Sequence, residues 1–315
     1  MNNMKLSISL APHVRGNDSV RSIMLDVIIA LFPATAFGVY LFGLRAAVLI
    51  FLSVLSAVLA EYAWQRLSKR EVRVGDLSAV VTGLIFALNL PPAAPWWIAV
   101  LGSAFAIVIV KQLFGGIGDN FLNPAITARA VMLASWPVYM TTFTAPTYFA
   151  GVEAATSATP LAGLDKSYYD LFMGNVPGCI GEVCKAAILI GFIYLLLRKV
   201  ISWQVPVVMV ATAALGIWIF GGNGGLFTGE PLRAVLSGGL LFGAVFMATD
   251  YTTSPMTGKG QIVFAAGCGL LVAIIRSFGS YPEGVTYAIM LMNVATPLID
   301  KFIAPKLYGE VRSNA

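Results

Sequence analysis

Apolar residues run along this chain in stretches too long and too unbroken for elements that keep one face in water. Such runs fall at about 22–42, 45–65, 77–91, 95–113, 124–139, 185–200, 204–220, 232–249, 260–277 and 284–301. A helix crosses a bilayer with about 20 apolar residues, or with fewer where it is broken. The pattern predicts an all-α polytopic membrane protein with about ten transmembrane helices. The third run stops early, at Asn89-Leu90-Pro91-Pro92, and the eighth near Asp250, before Tyr251-Thr252-Thr253-Ser254-Pro255. Broken backbone facing lipid costs several kcal/mol per unsatisfied group, so both stops must be buried in protein or line a cavity.

The two halves of the pattern resemble each other. Thr82-Gly83-Leu84-Ile85-Phe86-Ala87 opens the third run, and Gly238-Gly239-Leu240-Leu241-Phe242-Gly243 holds the same place in the eighth. After each come a proline-bearing break, a long apolar run and a Phe-Gly turn, Phe114-Gly115 and Phe278-Gly279. Five spans per half, an odd number, set the halves in opposite orientation, as in inverted-repeat transporters. The expected organisation is a first five-helix repeat at 1–139, an extracytoplasmic loop at 140–184 and a second five-helix repeat at 185–315.

Composition sharpens this picture. Of 315 residues, 58% are hydrophobic and only 11% charged, against roughly 25% charged in a soluble domain. That excludes a cytosolic enzyme, a secreted domain and a disordered chain. The net charge of +5 is too small and scattered to call for nucleic acid. Its placement instead fixes an orientation. Lys5, Arg15, Arg21, Arg66, Lys69, Arg70, Arg73, Lys111, Arg198, Lys199, Lys259, Lys301, Lys306 and Arg312 fall on the side of the termini. Only Arg45, Lys166, Lys185, Arg233 and Arg276 fall opposite, and Arg129 belongs to neither group. Both termini are therefore expected in the cytoplasm and 140–184 outside, in a loop carrying Glu153, Asp165, Asp170 and Glu182. The polar opening residues, with no cleavage site after an early apolar run, predict no removable signal peptide.

Candidate chemistry is sparse. Cys179, Cys184 and Cys268 give no disulfide framework, no CxxC pair and no four-cysteine cluster, though Cys179 and Cys184 are close enough in sequence to be oxidised together. A single histidine, His13, leaves no axial pair for a haem. Asp26 and Asp250 lie near span ends, where a carboxylate is either an ion site or simply solvated. The outer stretch Glu153-Ala154-Ala155-Thr156-Ser157-Ala158-Thr159-Pro160-Leu161-Ala162 presents unshielded hydroxyls before a proline, the composition of a flexible linker or of an acceptor site gripped by a modifying enzyme. The inner stretch Phe114-Gly115-Gly116-Ile117-Gly118-Asp119-Asn120-Phe121-Leu122-Asn123-Pro124-Ala125 allows close backbone approach, and its two asparagines suit a planar heterocycle; a glycine-rich turn and a helix cap would read the same.

These residues carry a family resemblance. Ala11-Pro12-His13-Val14-Arg15 followed by Asp18-Ser19-Val20, the glycine-asparagine inner stretch, and Ser157-Ala158-Thr159-Pro160-Leu161 resemble the RnfD family, the D subunits of Rnf complexes. That family is homologous to the B subunit of the sodium-pumping NADH:quinone reductase. The resemblance covers essentially the whole chain. It implies a urea-transporter-like fold in the bacterial inner membrane, within a complex that couples ferredoxin:NAD electron transfer to transport of Na+ or H+. It implies FMN joined through its phosphate to Thr159, placed there by a flavin transferase with FAD as donor; Ser157 stands where the family has glycine. It also implies a noncovalent riboflavin near the cytoplasmic face, touched by Asn120 and Asn123. No residue of the chain is expected to be catalytic and none to ligate a metal. The expected partners are the other Rnf subunits and membrane lipid. The competing classes are a solute channel of the same fold and a structural subunit without a cofactor, and Thr159 separates the flavoprotein from both.

Overall fold

The computed structural model describes residues 19–146, 159–162, 166–221, 225–279 and 283–303. Residues 1–18 with most of the opening motif, Glu153, Thr156-Ser157-Ala158, Asp165, Lys306 and Arg312 lie outside the described residues. Helices occupy every apolar run. They are α1 (Val20–Phe42), α2 (Leu44–Leu67), α3 (Ser78–Leu88), α4 (Trp96–Phe105, continued as π-helical Ala106–Gln112) and α5 (Pro124–Ser135). After the 140–184 segment come α6 (Lys185–Leu197), α7 (Gln204–Phe220), α8 (Leu240–Phe242, continued as π-helical Gly243–Met247), α9 (Gly258–Phe278) and α10 (Val285–Phe302). Among them α1, α2 and α9 are long and apolar enough to cross a membrane, while α3, α4, α6 and α7 are shorter apolar helices.

Local chemistry sets the ends. Ser19 caps α1 and exchanges hydrogen bonds with Ser22 in a capping box. Gly43, in a left-handed conformation, closes α1 on Val39 and starts α2 one residue later. Asn123 caps α5 with Pro124 at its first position, and Thr257 caps α9.

Within the first five helices α2 packs on α3 and α4, and α4 on α5; within the second five α7 packs on α8 and α9, and α9 on α10. The groups meet along α1 with α6 and α5 with α10. The main core cluster runs through both groups, from Leu31 and Phe86 to Phe264 and Ile289, with two small satellites around Ala34 and Ala57. The perimeter is as apolar as the core: Phe32, Phe51, Leu197 and Leu298 all point outward. A surface of that kind needs lipid rather than water around it.

The first stop has buried partners, as the cost of bare backbone demands. At the end of α3, Leu88 O accepts from Gly181 N at 2.8 Å and Leu90 O from Ile180 N at 3.1 Å. The last residues of the 140–184 segment thus fold back into the core, burying Val176, Ile180 and Val183. The eighth run, continuous by hydropathy, is broken at Ser237-Gly238-Gly239. A short helix Pro231–Leu236 precedes Ser237-Gly238-Gly239, and the carbonyls freed there accept from cations. Ala234 O and Ser237 O take Arg276 at 2.6 and 3.2 Å, and Gly238 O takes Lys185 Nζ at 2.8 Å.

Candidate functional site

Two polar regions lie at opposite ends of α6, with Lys185 at one and Leu195 at the other. Ten residues of helix separate them, roughly 15 Å along the axis.

At the Leu195 end is a cavity of about 330 Å³, walled by Met24, Val27, Val81, Ile85, Val245 and Phe246. A few polar groups interrupt this apolar lining: Asn120, Asn123, Lys111, Ser78, Asp250 and Thr252. Such a mix is the usual make-up of a small-molecule site. The 114–123 turn that brings the asparagines here relies on glycine, since residues 115, 116 and 118 have φ of 131°, 112° and 101°. The two asparagines differ in how fully they are engaged. Asn123 Oδ1 accepts from Ala125 N and Ile126 N, while its Nδ2 donates to Met247 O at 3.3 Å, so it caps α5 and ties it to α8. Asn120 Nδ2 donates to Leu122 O and Thr252 Oγ1, each at 3.1 Å, and its Oδ1 accepts from none of the described residues. Asp250 accepts from Thr252 and Thr253 across the cavity mouth, and burial pushes its carboxyl up.

Lys111 comes from the π-helical end of α4. Its Nζ donates to Glu61 Oε1 at 2.7 Å and to Ser78 Oγ at 2.6 Å, with both charged side chains buried. Gln112 Nε2 reaches the same Glu61 oxygen at 2.6 Å. The other Glu61 oxygen is buried without a partner among the described residues. Glu61 is absent from the sequence candidates, although a carboxylate inside an apolar span is itself the signal. Asp26, by contrast, is tied to Arg198 at 3.1 Å and to Tyr194 at 2.8 Å, a structural link between α1 and α6.

At the other end, half-buried Thr159 faces a small recess lined by Gly178, Glu182, Lys185, Gly238 and Glu283. The Ser237-Gly238-Gly239 break must be glycine here. Gly238 has φ of 64°, and a Cβ on Gly239 would stand 2.8 Å from Glu182 Oε2. Behind the recess, Arg129 donates to Asn89 Oδ1 at 2.8 Å, to the Glu283 carboxylate and to Cys179 Sγ at 3.6 Å. Glu182 Oε1 accepts from Cys179 N at 3.0 Å, and Lys185 Nζ donates to Glu182 O. Burial pushes Glu283 up to about 7, against the pull of Arg129 and with the help of Glu182. Against the same burial, Arg129 and Lys185 hold Glu182 low. Cys179, Glu182 and Glu283 bring ligand atoms within 4.8 Å of one another. The positive charge that this trio calls for is supplied by Arg129. Cys179 and Cys184 are both free and buried.

A family model described as the NQR2, RnfD, RnfE family matches residues 7–309. The chain belongs to this family. It is 49% identical to the D subunit of the Na(+)-translocating ferredoxin:NAD(+) oxidoreductase complex of Acetobacterium woodii, over 98% of this chain and 97% of that one. It is 44% identical to the D subunit of the proton-translocating ferredoxin:NAD(+) oxidoreductase complex of Clostridium ljungdahlii, over 97% of each. To the D subunit of the ion-translocating oxidoreductase complex of Escherichia coli (strain K12 / DH10B) it is 35% identical, over 97% of this chain and 99% of that one. These relatives are subunits of ion-translocating oxidoreductases and share the length of this chain almost entirely.

Proposed function

We propose that the chain is the flavin-bearing membrane subunit of an ion-translocating ferredoxin:NAD oxidoreductase and carries electrons between the two faces of the membrane. In this reading ten spans form two inverted five-helix repeats in the bacterial inner membrane, with both termini in the cytoplasm. FMN is joined by a phosphoester to Thr159, delivered by a flavin transferase, and riboflavin occupies the cavity at the cytoplasmic end. The observation that carries the reading is the cavity itself: apolar walls sized for a small molecule, with the unengaged Oδ1 of Asn120 among them.

The flavins, when bound, supply the one-electron chemistry, and the chain supplies position. Asn120 offers an acceptor to an imide N–H of the ring. Asn123 acts mainly through α5, setting the wall against which the ring lies. At the far end, the half-buried Thr159 holds its group at the recess, with Pro160 restricting the backbone just after it.

The test is to purify the complex after co-expression with a flavin transferase. The denatured chain should fluoresce, and its tryptic peptide should carry the mass of FMN less water. Thr159→Ala should abolish both while acid still extracts riboflavin. Asn120→Ala should lower riboflavin affinity about five- to hundredfold, the effect of losing one buried hydrogen bond of roughly 1–3 kcal/mol. An adduct that survives Thr159→Ala, or riboflavin that stays stoichiometric in Asn120→Ala at limiting riboflavin, refutes the corresponding half of the assignment.

A further inference from the structure

A row of hydrogen-bonded side chains leads from the protein surface to the wall of the cavity. It begins at Asp76, half-exposed just before α3. Ser78 Oγ donates to Asp76 Oδ1 at 2.6 Å, and Lys111 Nζ lies 2.6 Å from the same hydroxyl. Ser78 and Lys111 both line the cavity, and Glu61 stands behind Lys111, 1% exposed. An ion pair that merely braced α2 against α4 would need neither the cavity border nor the hydroxyl bridge to a half-exposed carboxylate.

We propose that Asp76, Ser78 and Lys111 form a proton relay that delivers one proton into the cavity for each electron accepted there, with Glu61 as its fixed counter-charge. The proposal rests on the flavin reading of the cavity. The electron comes from the oxidoreductase chain of the complex and adds one negative charge to a low-dielectric space. Lys111 answers by releasing a proton from Nζ to a basic ring nitrogen of the reduced flavin. The N–H bond breaks at the amine, which keeps the electron pair. Neutral Lys111 then leaves the Glu61 carboxylate buried and uncompensated, a costly state that drives recovery. Asp76 first takes a proton from solvent, then passes it to the Ser78 oxygen as the Ser78 hydroxyl proton moves to the amine, so that Asp76 is again a carboxylate and Ser78 again a hydroxyl. One electron and one proton have entered, and the buried charge is unchanged.

The groups facing Lys111 are Glu61 from α2, Ser78 and through it Asp76 from the start of α3, and Gln112 from its own helix. Asp250 is the acid that lines the cavity itself, engaged by Thr252 and Thr253. It is the competing proton donor.

The experiment is stopped-flow reduction of the purified, riboflavin-loaded complex by dithionite in H2O and D2O, with rates normalised to bound riboflavin. Lys111→Met and Asp76→Asn should each slow flavin reduction about a hundredfold, the lower end of what a positioned general acid contributes. The solvent isotope effect should change with them, and methylamine should restore the rate in Lys111→Ala. If Lys111→Met fails to accumulate because it strands Glu61, Asp76→Asn leaves the ion pair intact and decides alone. Unchanged rates and isotope effects in the variants that accumulate overturn the relay, as does loss of the isotope effect in Asp250→Asn but not in Asp76→Asn. Absence of riboflavin from the unaltered complex is a different failure, since it removes the cavity reading itself.

Discussion

Replacing Arg129 with methionine would leave Asn89 Oδ1, Cys179 Sγ and the Glu283 carboxylate without the guanidinium they now share. Arg129 is 5% exposed, so water cannot take its place cheaply. Removing one partner of a buried ion pair costs roughly 3–5 kcal/mol, because a charge is left behind. Glu283→Met should cost a similar amount from the other side. Independent losses would sum to about 6–10 kcal/mol, but the two variants delete one interaction. The double variant leaves neither charge of the pair behind and should therefore cost less than either single one. The coupling, at least roughly 3–5 kcal/mol, far exceeds the roughly 0.5 kcal/mol within which unrelated sites add. The coupling should also depend on pH. Glu283 titrates near 7 in the folded chain and about 4.3 when unfolded. The stability that this group gains by binding its proton is therefore present at low pH and lost as pH rises through 7. At about pH 5.5 Glu283 can meet the loss of Arg129 by staying protonated, and the cost of Arg129→Met should shrink relative to about pH 8. Denaturant unfolding of the wild type and the three variants in mixed micelles at both pH values measures the cycle. Strict additivity at the higher pH would refute the ion pair as the brace of this interior.

Gly269→Ala puts a Cβ 2.5 Å from Met209 O where α9 crosses α7, and should destabilise by about 1–3 kcal/mol; an unchanged melting temperature would contradict that close approach. Asn123→Ala removes the α5 cap and the tie to Met247, and should cost about 1–2 kcal/mol. Asn123→Asp keeps the cap oxygen but sets its other oxygen against Met247 O, and should recover only the cap share in the same melt. The Asp170 carboxyl is held low by the Ser167 hydroxyl and by Asn175. Its contribution is present above the ordinary carboxylate value and lost as pH falls through the lowered one. Protection of the 167–175 amides, relative to their intrinsic exchange rates, should fall on acidification below about pH 4 in the wild type and less steeply in Ser167→Ala.

Hydropathy locates the helices well because lipid asks only for unbroken apolar length. The expected run at 204–220 is α7 to the residue, and 22–42 differs from α1 by two residues at one end. The eighth run looks continuous to hydropathy, yet it breaks at Ser237-Gly238-Gly239, where carbonyls find Lys185 and Arg276 across the chain. Pairings of that kind leave no periodic trace. Lys111 and Lys185 count by position as loop-flanking charges that set orientation, and both are buried partners of internal groups. Arg129 fits neither side of the membrane and is the hub of the interior. Its partners stand 40, 50 and 154 residues away. Asn120 and Asn123 are legible in the sequence as a pair but not as unequal. Only their three-dimensional engagement distinguishes a helix cap from an amide with an oxygen to spare.

The wide turns at the end of α4 carry a genetic consequence. Leu113 N reaches Val108 O and Gly116 N reaches Lys111 O, a five-residue repeat in place of four. A helix wound this way holds one more residue per turn than its α counterpart, and each residue of an α-helix advances by about 100°. Deleting a single residue between Ala106 and Val110 would be absorbed as the helix rewinds as α, leaving Lys111 directed at Glu61, whereas deleting one from the α-wound Trp96–Phe105 with the wide turns kept would swing Lys111 by about that angle, away from Glu61 and the cavity. The inner cation is thus a property of reading length as much as of side-chain identity. A relative one codon shorter within the wide turns would keep its charged wall, and one shorter in the plain α stretch before them would keep its span and lose that wall.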